Sequence, residues 1–291
     1  MNRNGIIVAL VVIVAGLVWR LSSPPDVSVE EISDAPEAIE RGQYLVQAGG
    51  CISCHRNEDE NDDSLSGGHA LESPFGTFRA SNITPDPETG IGGWSGDDFI
   101  RALKHGRTPD GSYYFPAFPY RSYAGISDEE ALDIAAWLMS QEPIRNQVPD
   151  HDIPAWMGRW QMAFWNPLAD VMENSPPPVG EGVGVERGAH LARHLGHCGE
   201  CHTPRNALGI QDLSREFAGV RVSEEESIPA IDADALSDWS EDDFQLLLFL
   251  GMLPDGDYVG GDMGDVIEHN TAQLTEEDRE ALAAFFIRGQ Q

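Results

Sequence analysis

Basic residues are scarce in this chain. Lys104 is the only lysine, and 18 Lys and Arg stand against 49 Asp and Glu in 291 residues, a net charge of −31. A field of that sign repels phosphate backbones and excludes nucleic-acid binding. It steers basic partners and keeps the chain soluble by self-repulsion. A salt-loving source would leave the same acid-rich pattern. The acidic runs at 58–63 and 224–226 lack the oxygen spacing of a calcium loop and read as solvated faces. Cysteine is scarce too: four in a chain of this length exclude the dense disulfide framework of small secreted domains. Long apolar runs are confined to residues 5–19, and no methionine occurs between Met1 and Met139.

All four cysteines belong to two copies of one pattern. The first is Cys51-Ile52-Ser53-Cys54-His55 and the second Cys198-Gly199-Glu200-Cys201-His202. Cys-x-x-Cys-His is the attachment signature of c-type haem. On one helical turn two thiols reach the two vinyl groups of a porphyrin, and the adjacent imidazole points at the iron. A thioredoxin-like pair would sit in a βαβ pattern, which neither copy has. A shared zinc site would bring the pairs close in sequence, whereas they are separated from Cys54 to Cys198 and each carries its own histidine. The expected cofactors are two covalently bound haem c groups. Cys51, Cys54, Cys198 and Cys201 form the thioethers, and His55 and His202 ligate iron.

The run over 5–19 lies between a signal-peptide core and a short spanning helix in length. Arg20-Leu21-Ser22-Ser23-Pro24-Pro25 offers no clean small-x-small cleavage site, so 1–23 reads as an uncleaved signal-anchor helix and 24–40 as a tether. The body is then exported, to the periplasmic side of a bacterial cytoplasmic membrane, where haem is attached.

An internal repeat sets the architecture. Trp94-Ser95-Gly96-Asp97-Asp98-Phe99 returns as Trp239-Ser240-Glu241-Asp242-Asp243-Phe244, an offset of 145 (94 to 239). Gly106, Pro109, Asp110, Gly111 and Tyr113 return at the same offset as Gly251, Pro254, Asp255, Gly256 and Tyr258. The expected fold is all-α: two tandem class I cytochrome c-like domains over 41–145 and 186–291, joined by an interdomain segment over 146–185. Ser127 and Glu130 form a capping box that opens a closing helix, with Thr275 and Asp278 as its counterpart. The tryptophan-rich linker (Trp156, Trp160, Trp165) reads as a helix packed between the domains, or else as a docking face for a redox partner or membrane surface.

A second axial ligand is the next requirement, and methionine thioether favours ferrous iron. Met263, in a Gly-rich loop, is the expected ligand of haem two, ahead of Met252 at a helix end. At the offset of 145 its counterpart is Phe118, which has no lone pair to give. His69, His105, Tyr113 and Tyr114 are left as substitutes on haem one. His190 and His194 are spaced to share a metal but have no evident third ligand, so they read as helix-surface residues.

Ser73-Pro74-Phe75-Gly76-Thr77, Ser81-Asn82-Ile83-Thr84-Pro85-Asp86, Thr89-Gly90-Ile91-Gly92-Gly93-Trp94, the stretch 197–206 and Met263-Gly264-Asp265-Val266-Ile267-Glu268 carry a resemblance. The chain resembles the cytochrome c subunits of membrane-bound bacterial alcohol, gluconate and related sugar-acid dehydrogenases, from about Arg41 to the C-terminus. Members usually read Pro-Ala-Met-Pro-Tyr where this chain has Pro116-Ala117-Phe118-Pro119-Tyr120. The resemblance implies Met263 as ligand and places Arg79, Asn82 and Thr84 near a haem edge as propionate contacts, with Arg205 in the same role past the second motif. It also implies the partners: a dehydrogenase as electron donor, a respiratory-chain acceptor, and the membrane through the N-terminal helix. The expected function is therefore electron transfer, with no chemistry by the protein alone. The alternative is an open iron at haem one that binds a small ligand or peroxide.

Overall fold

The computed structural model describes residues 31–57, 64–222 and 227–290. Helix α1 (Pro36–Ala48) starts on a proline, whose missing N–H is no loss in a first turn, and buries Ala38, Gly42, Leu45, Val46 and Ala48. A left-handed Gly50, φ 64°, turns the chain into the short helix α2 (Cys51–His55). The antiparallel hairpin of β1 (Ala70–Ser73) and β2 (Gly76–Arg79) follows, with Ala70 opposite Arg79 and Ser73 opposite Gly76. Helices α3 (Gly96–His105), α4 (Tyr120–Tyr123) and α5 (Asp128–Met139) complete the first half.

The connecting stretch pairs Asp152 with Thr77 and then forms α6 (Met162–Met172). The second half opens with α7 (Val185–His190), prolonged by a π-type turn over Leu191–Leu195, then α8 (Gly199–His202). A short pair, β3 (Val220–Arg221) and β4 (Ser227–Ile228), precedes α9 (Glu241–Leu250), α10 (Gly261–His269) and α11 (Glu276–Ala284). The described chain is mainly helical.

The same physics shapes equivalent elements in the two halves. Ser95 and Asp98 cap α3 reciprocally, as Ser240 and Asp243 cap α9, and both helices stop at a left-handed glycine, Gly106 or Gly251. Helix α1 crosses α5 at Gly42, where a Cβ would lie 1.9 Å from the Asp133 carbonyl oxygen. Helix α7 crosses α11 at Gly188, where a Cβ would lie 1.9 Å from the Ala281 carbonyl oxygen. Each crossing is fastened by a two-pronged arginine: Arg41 on Asp133 at 2.6 and 2.9 Å, and Arg187 on Asp278 at 2.9 and 2.7 Å.

One apolar core runs through both halves, from Val46, Ile100 and Ile134 to Leu195, Phe217, Phe285 and Phe286. A smaller cluster of Phe78, Tyr113, Phe115 and Met162 seats α6 on the hairpin. The linker helix therefore has two roles. Asn166 accepts from the Tyr120 hydroxyl (2.6 Å) and Glu173, just past the helix end, accepts from Arg121 (3.0 Å), while Phe164 and Val171, with Trp160 just before the helix, are exposed apolar residues.

Some expectations need correction. Met263 is not in a loop: it lies in the first turn of α10, a helix masked in the sequence by three glycines of low helical propensity. His190 and His194 are not on an outer surface but at the seam between the halves, where His190 meets Glu130 at 2.9 Å and His194 meets the Ser122 carbonyl at 3.1 Å. No helix among the described residues is long and apolar enough to cross a membrane. The run over 5–19, read above as an anchor, and both acidic runs lie outside the described residues.

Candidate cofactor centres

Each motif is delivered by the end of a packed helix and a left-handed residue. Before Cys51 that residue is Gly50; before Cys198 it is His197, φ 39°, an uncommon conformation for a residue with a side chain. His197 is held there by the other half. Its ring stands edge-on to Tyr123 at 5.4 Å, and its Nε2 lies 3.3 Å from the Gly49 carbonyl oxygen. Tyr123 donates its hydroxyl to the same carbonyl at 2.7 Å.

The four thiols are free of disulfides. Burial pushes the Cys51 and Cys198 thiols up to about 12, so at neutral pH they are neutral rather than thiolate nucleophiles. Burial raises the Cys54 and Cys201 thiols as well. Further bonds join the motifs across the halves. Arg56 pairs with Asp265 of α10 at 2.9 Å, Asn270 donates to the Ala48 carbonyl at 3.1 Å, and Ser122 donates to Glu200 at 2.7 Å.

The two imidazoles are oriented alike. His55 Nδ1 lies 2.7 Å from the Ser81 carbonyl oxygen, and His202 Nδ1 lies 2.8 Å from the Pro229 carbonyl oxygen. A carbonyl accepts only, so Nδ1 carries the proton and Nε2 keeps its lone pair. Burial lowers the pKa of both rings and holds them neutral, the form that binds a metal. Inside the first motif, Ser53 Oγ is buried with no hydrogen-bond partner among the described residues. Neutral paired thiols beside an imidazole with a bare Nε2 fit a covalently held haem.

The other sequence-derived candidates divide. Asn82 and Thr84 are buried, but their polar atoms are engaged within the loop. Asn82 donates to Thr89 (3.1 Å) and the Ile144 carbonyl (2.7 Å) and accepts from the Thr84 hydroxyl (2.7 Å). Arg205 pairs with Glu200 and donates to the Gly209 carbonyl at 2.9 Å. Arg79 ends β2, two positions from the carbonyl that holds His55. Met263 and Phe118 both pack against the common core, half-buried.

Two contacts escaped the sequence reading. Tyr44 of α1 donates to Asp278 of α11 at 2.5 Å, and His190 of α7 pairs with Glu130 of α5. Tyr44 and His190 stand 146 positions apart, Glu130 and Asp278 148, so the repeat itself carried the signal.

A model of the cytochrome c family matches residues 39–142. A diheme cytochrome c-type protein of Cereibacter sphaeroides is 40% identical over 98% of this chain and 96% of its own length. The gluconate 2-dehydrogenase cytochrome c subunit of Pantoea cypripedii is 36% identical over 85% of this chain and 58% of its own length. The cytochrome c subunit of the quinone alcohol dehydrogenase of Gluconobacter oxydans is 34% identical over 87% and 55% respectively. The chain thus spans little more than half the length of these two subunits.

Proposed function

The chain belongs to the dihaem c-type cytochromes and carries covalently bound haem c, and from that premise we propose that it moves electrons from a partner dehydrogenase toward a respiratory chain. The observation that carries this reading is the matched pair of imidazoles, each tied through Nδ1 to a backbone carbonyl of its own half. When bound, haem supplies an iron that alternates between ferrous and ferric states. The chain's own residues do the rest. Cys51 and Cys54 anchor one haem, Cys198 and Cys201 the other. His55 and His202 present Nε2 to the irons, and the Ser81 and Pro229 carbonyls keep the rings from turning.

Met263 is the thioether ligand of the second haem, and Phe118 leaves the first without one. Equal spacing of caps and turns supports this assignment. The Tyr114 N–H bonds the Gly106 carbonyl at 2.8 Å and the Val259 N–H bonds the Gly251 carbonyl at 2.9 Å, again 145 positions apart. The same spacing supports two tandem cytochrome domains at 41–145 and 186–291. Among the propionate candidates Arg79 is the strongest, since Asn82, Thr84 and Arg205 already hold partners within the protein. The bonds that join the two motifs across the halves support electron exchange between the haems inside one chain. We place the body on the periplasmic side of the cytoplasmic membrane, anchored by residues 1–23.

The test is to supply membranes carrying the full chain with alcohols, gluconate and related sugar acids and to follow haem absorption. Reduction by one of these substrates, reversed by air, is expected. Haems that stay oxidised with every substrate yet reduce with dithionite would contradict the dehydrogenase partnership.

A further inference from the structure

The surroundings of Phe118 differ from those of an ordinary packing residue. The hydrogen-bonded turns of the two halves stay in register through Tyr114 and Val259, and Phe118 follows Tyr114 by the same four positions that separate Met263 from Val259. The Phe118 ring stands edge-on to Tyr114 at 5.4 Å and tilted to Tyr123 at 5.9 Å. Tyr123 in turn is buried and donates its hydroxyl to the Gly49 carbonyl, two positions before Cys51, at 2.7 Å. Phe118 is thus linked to the approach of the first motif through Tyr123.

The side chains that could replace the missing thioether are for the most part bonded or exposed. The His69 backbone lies beside the Ser81 carbonyl that holds His55 Nδ1, its own carbonyl accepting from the Ala80 N–H at 3.0 Å. His105 is exposed at the end of α3. The Tyr113 hydroxyl accepts from Arg107 at 2.5 Å, the Tyr120 hydroxyl bonds Asn166, and the Tyr123 hydroxyl bonds the Gly49 carbonyl. Met139 closes α5. Tyr114 remains. Burial pushes its phenol up to about 12, so it stays protonated, a poor iron ligand and a good hydrogen-bond donor.

A crevice reaches Phe118 from solvent between the halves, lined by Pro116, Arg121, Trp165, Glu173, Glu200 and Arg205. Its volume is about 10 Å³, room for roughly one water. The rim charges cancel in the pairs Arg121–Glu173 and Arg205–Glu200. The whole chain carries −31, a field that repels anions.

We propose that the coordination position opposite His55 has no side-chain donor and takes a small uncharged ligand, a diatomic such as carbon monoxide or nitric oxide. The ligand enters by the crevice beside Phe118. The proposal rests on the reading above that each motif holds a haem. Electron transfer through the second haem is independent of it.

The test is a carbon monoxide titration of the reduced full-length holoprotein, scored by absorption per haem, with haem counted separately after denaturation in alkaline pyridine. One carbon monoxide per two haems is expected. Phe118→Met should abolish that binding, and Phe118→Leu, which also lacks a donor, should keep it. No binding to a protein that holds two reversibly cycling haems overturns the proposal and leaves the electron-transfer reading intact. Binding undiminished in Phe118→Met also overturns it, because the ligand then sits elsewhere. A haem count other than two, or irreversible cycling, instead defeats the reading on which the proposal rests. If Phe118→Met fails to take up haem, the titrations of wild type and Phe118→Leu decide alone.

Discussion

Tyr44 and Asp278, 234 positions apart, meet across the two halves, with the phenol donating to the carboxylate at 2.5 Å. Asp278 also takes both prongs of Arg187, so one carboxylate fastens the α7–α11 crossing and receives the first half. Burial alone would raise its pKa; Arg187 and Tyr44 outweigh that and lower it. Glu130 and His190 make the reciprocal contact from the equivalent positions. The two motifs are brought together by these paired clasps and by the shared apolar core.

Removing one clasp should loosen the halves without dismantling either. Tyr44→Phe keeps the ring and the Arg187–Asp278 pair but loses a hydrogen bond to a charged group, for a cost of about 1–3 kcal/mol. Urea unfolding of the holoprotein measures it. A midpoint unchanged from wild type would mean that this contact does not hold the halves together.

The second clasp sets a pH dependence. His190 first, and then the Ser127 cap, hold the Glu130 carboxyl down from its ordinary 4.5 to about 2 against the opposing effect of burial. A depressed carboxyl contributes stability that is fully present above the unfolded value and is lost as pH falls through the folded one. Wild type should therefore exceed Glu130→Gln in stability at pH 6, and the gap should close between about 4.5 and about 2. A gap that is constant across that range would show that Glu130 contributes by shape and not by charge.

The reading of the sequence reached the chemistry further than the assembly. Both haem motifs and the serine cap of α5 are local patterns, visible because each depends on a few neighbouring residues. Helix α10 was hidden because its glycines and acids carry a loop's composition, and packing against the core overrides that propensity. Tyr44, His190 and His197 gain their roles only when the halves meet, which no local pattern records. Asn82 and Thr84, which the resemblance places near a haem edge, bond the backbone of 144 and so tie their own loop to the chain that follows α5.

The helix crossings should tolerate no side chain. At Gly42 and Gly188 an added Cβ meets a carbonyl oxygen at 1.9 Å, so Gly42→Ala or Gly188→Ala must push two helices apart. Overpacking of this kind costs about 1–3 kcal/mol or more. At Gly93 a Cβ meets nothing within 4 Å, so Gly93→Ala serves as the control and should change stability by less than about 0.5 kcal/mol. Thermal melts of the three holoproteins compare them. Equal midpoints in all three would contradict the crossing geometry.

On the proposed ligation one chain holds two haems with unlike sixth positions, thioether on the second and no side-chain donor on the first. Near-infrared magnetic circular dichroism of the ferric full-length protein separates the two, with the sulfur-to-iron charge-transfer band integrated against the haem count. One methionine-ligated haem for every two is expected, with the band lost in Met263→Leu and doubled in Phe118→Met. A band corresponding to two methionine-ligated haems, or to none, in the unmodified protein would contradict it.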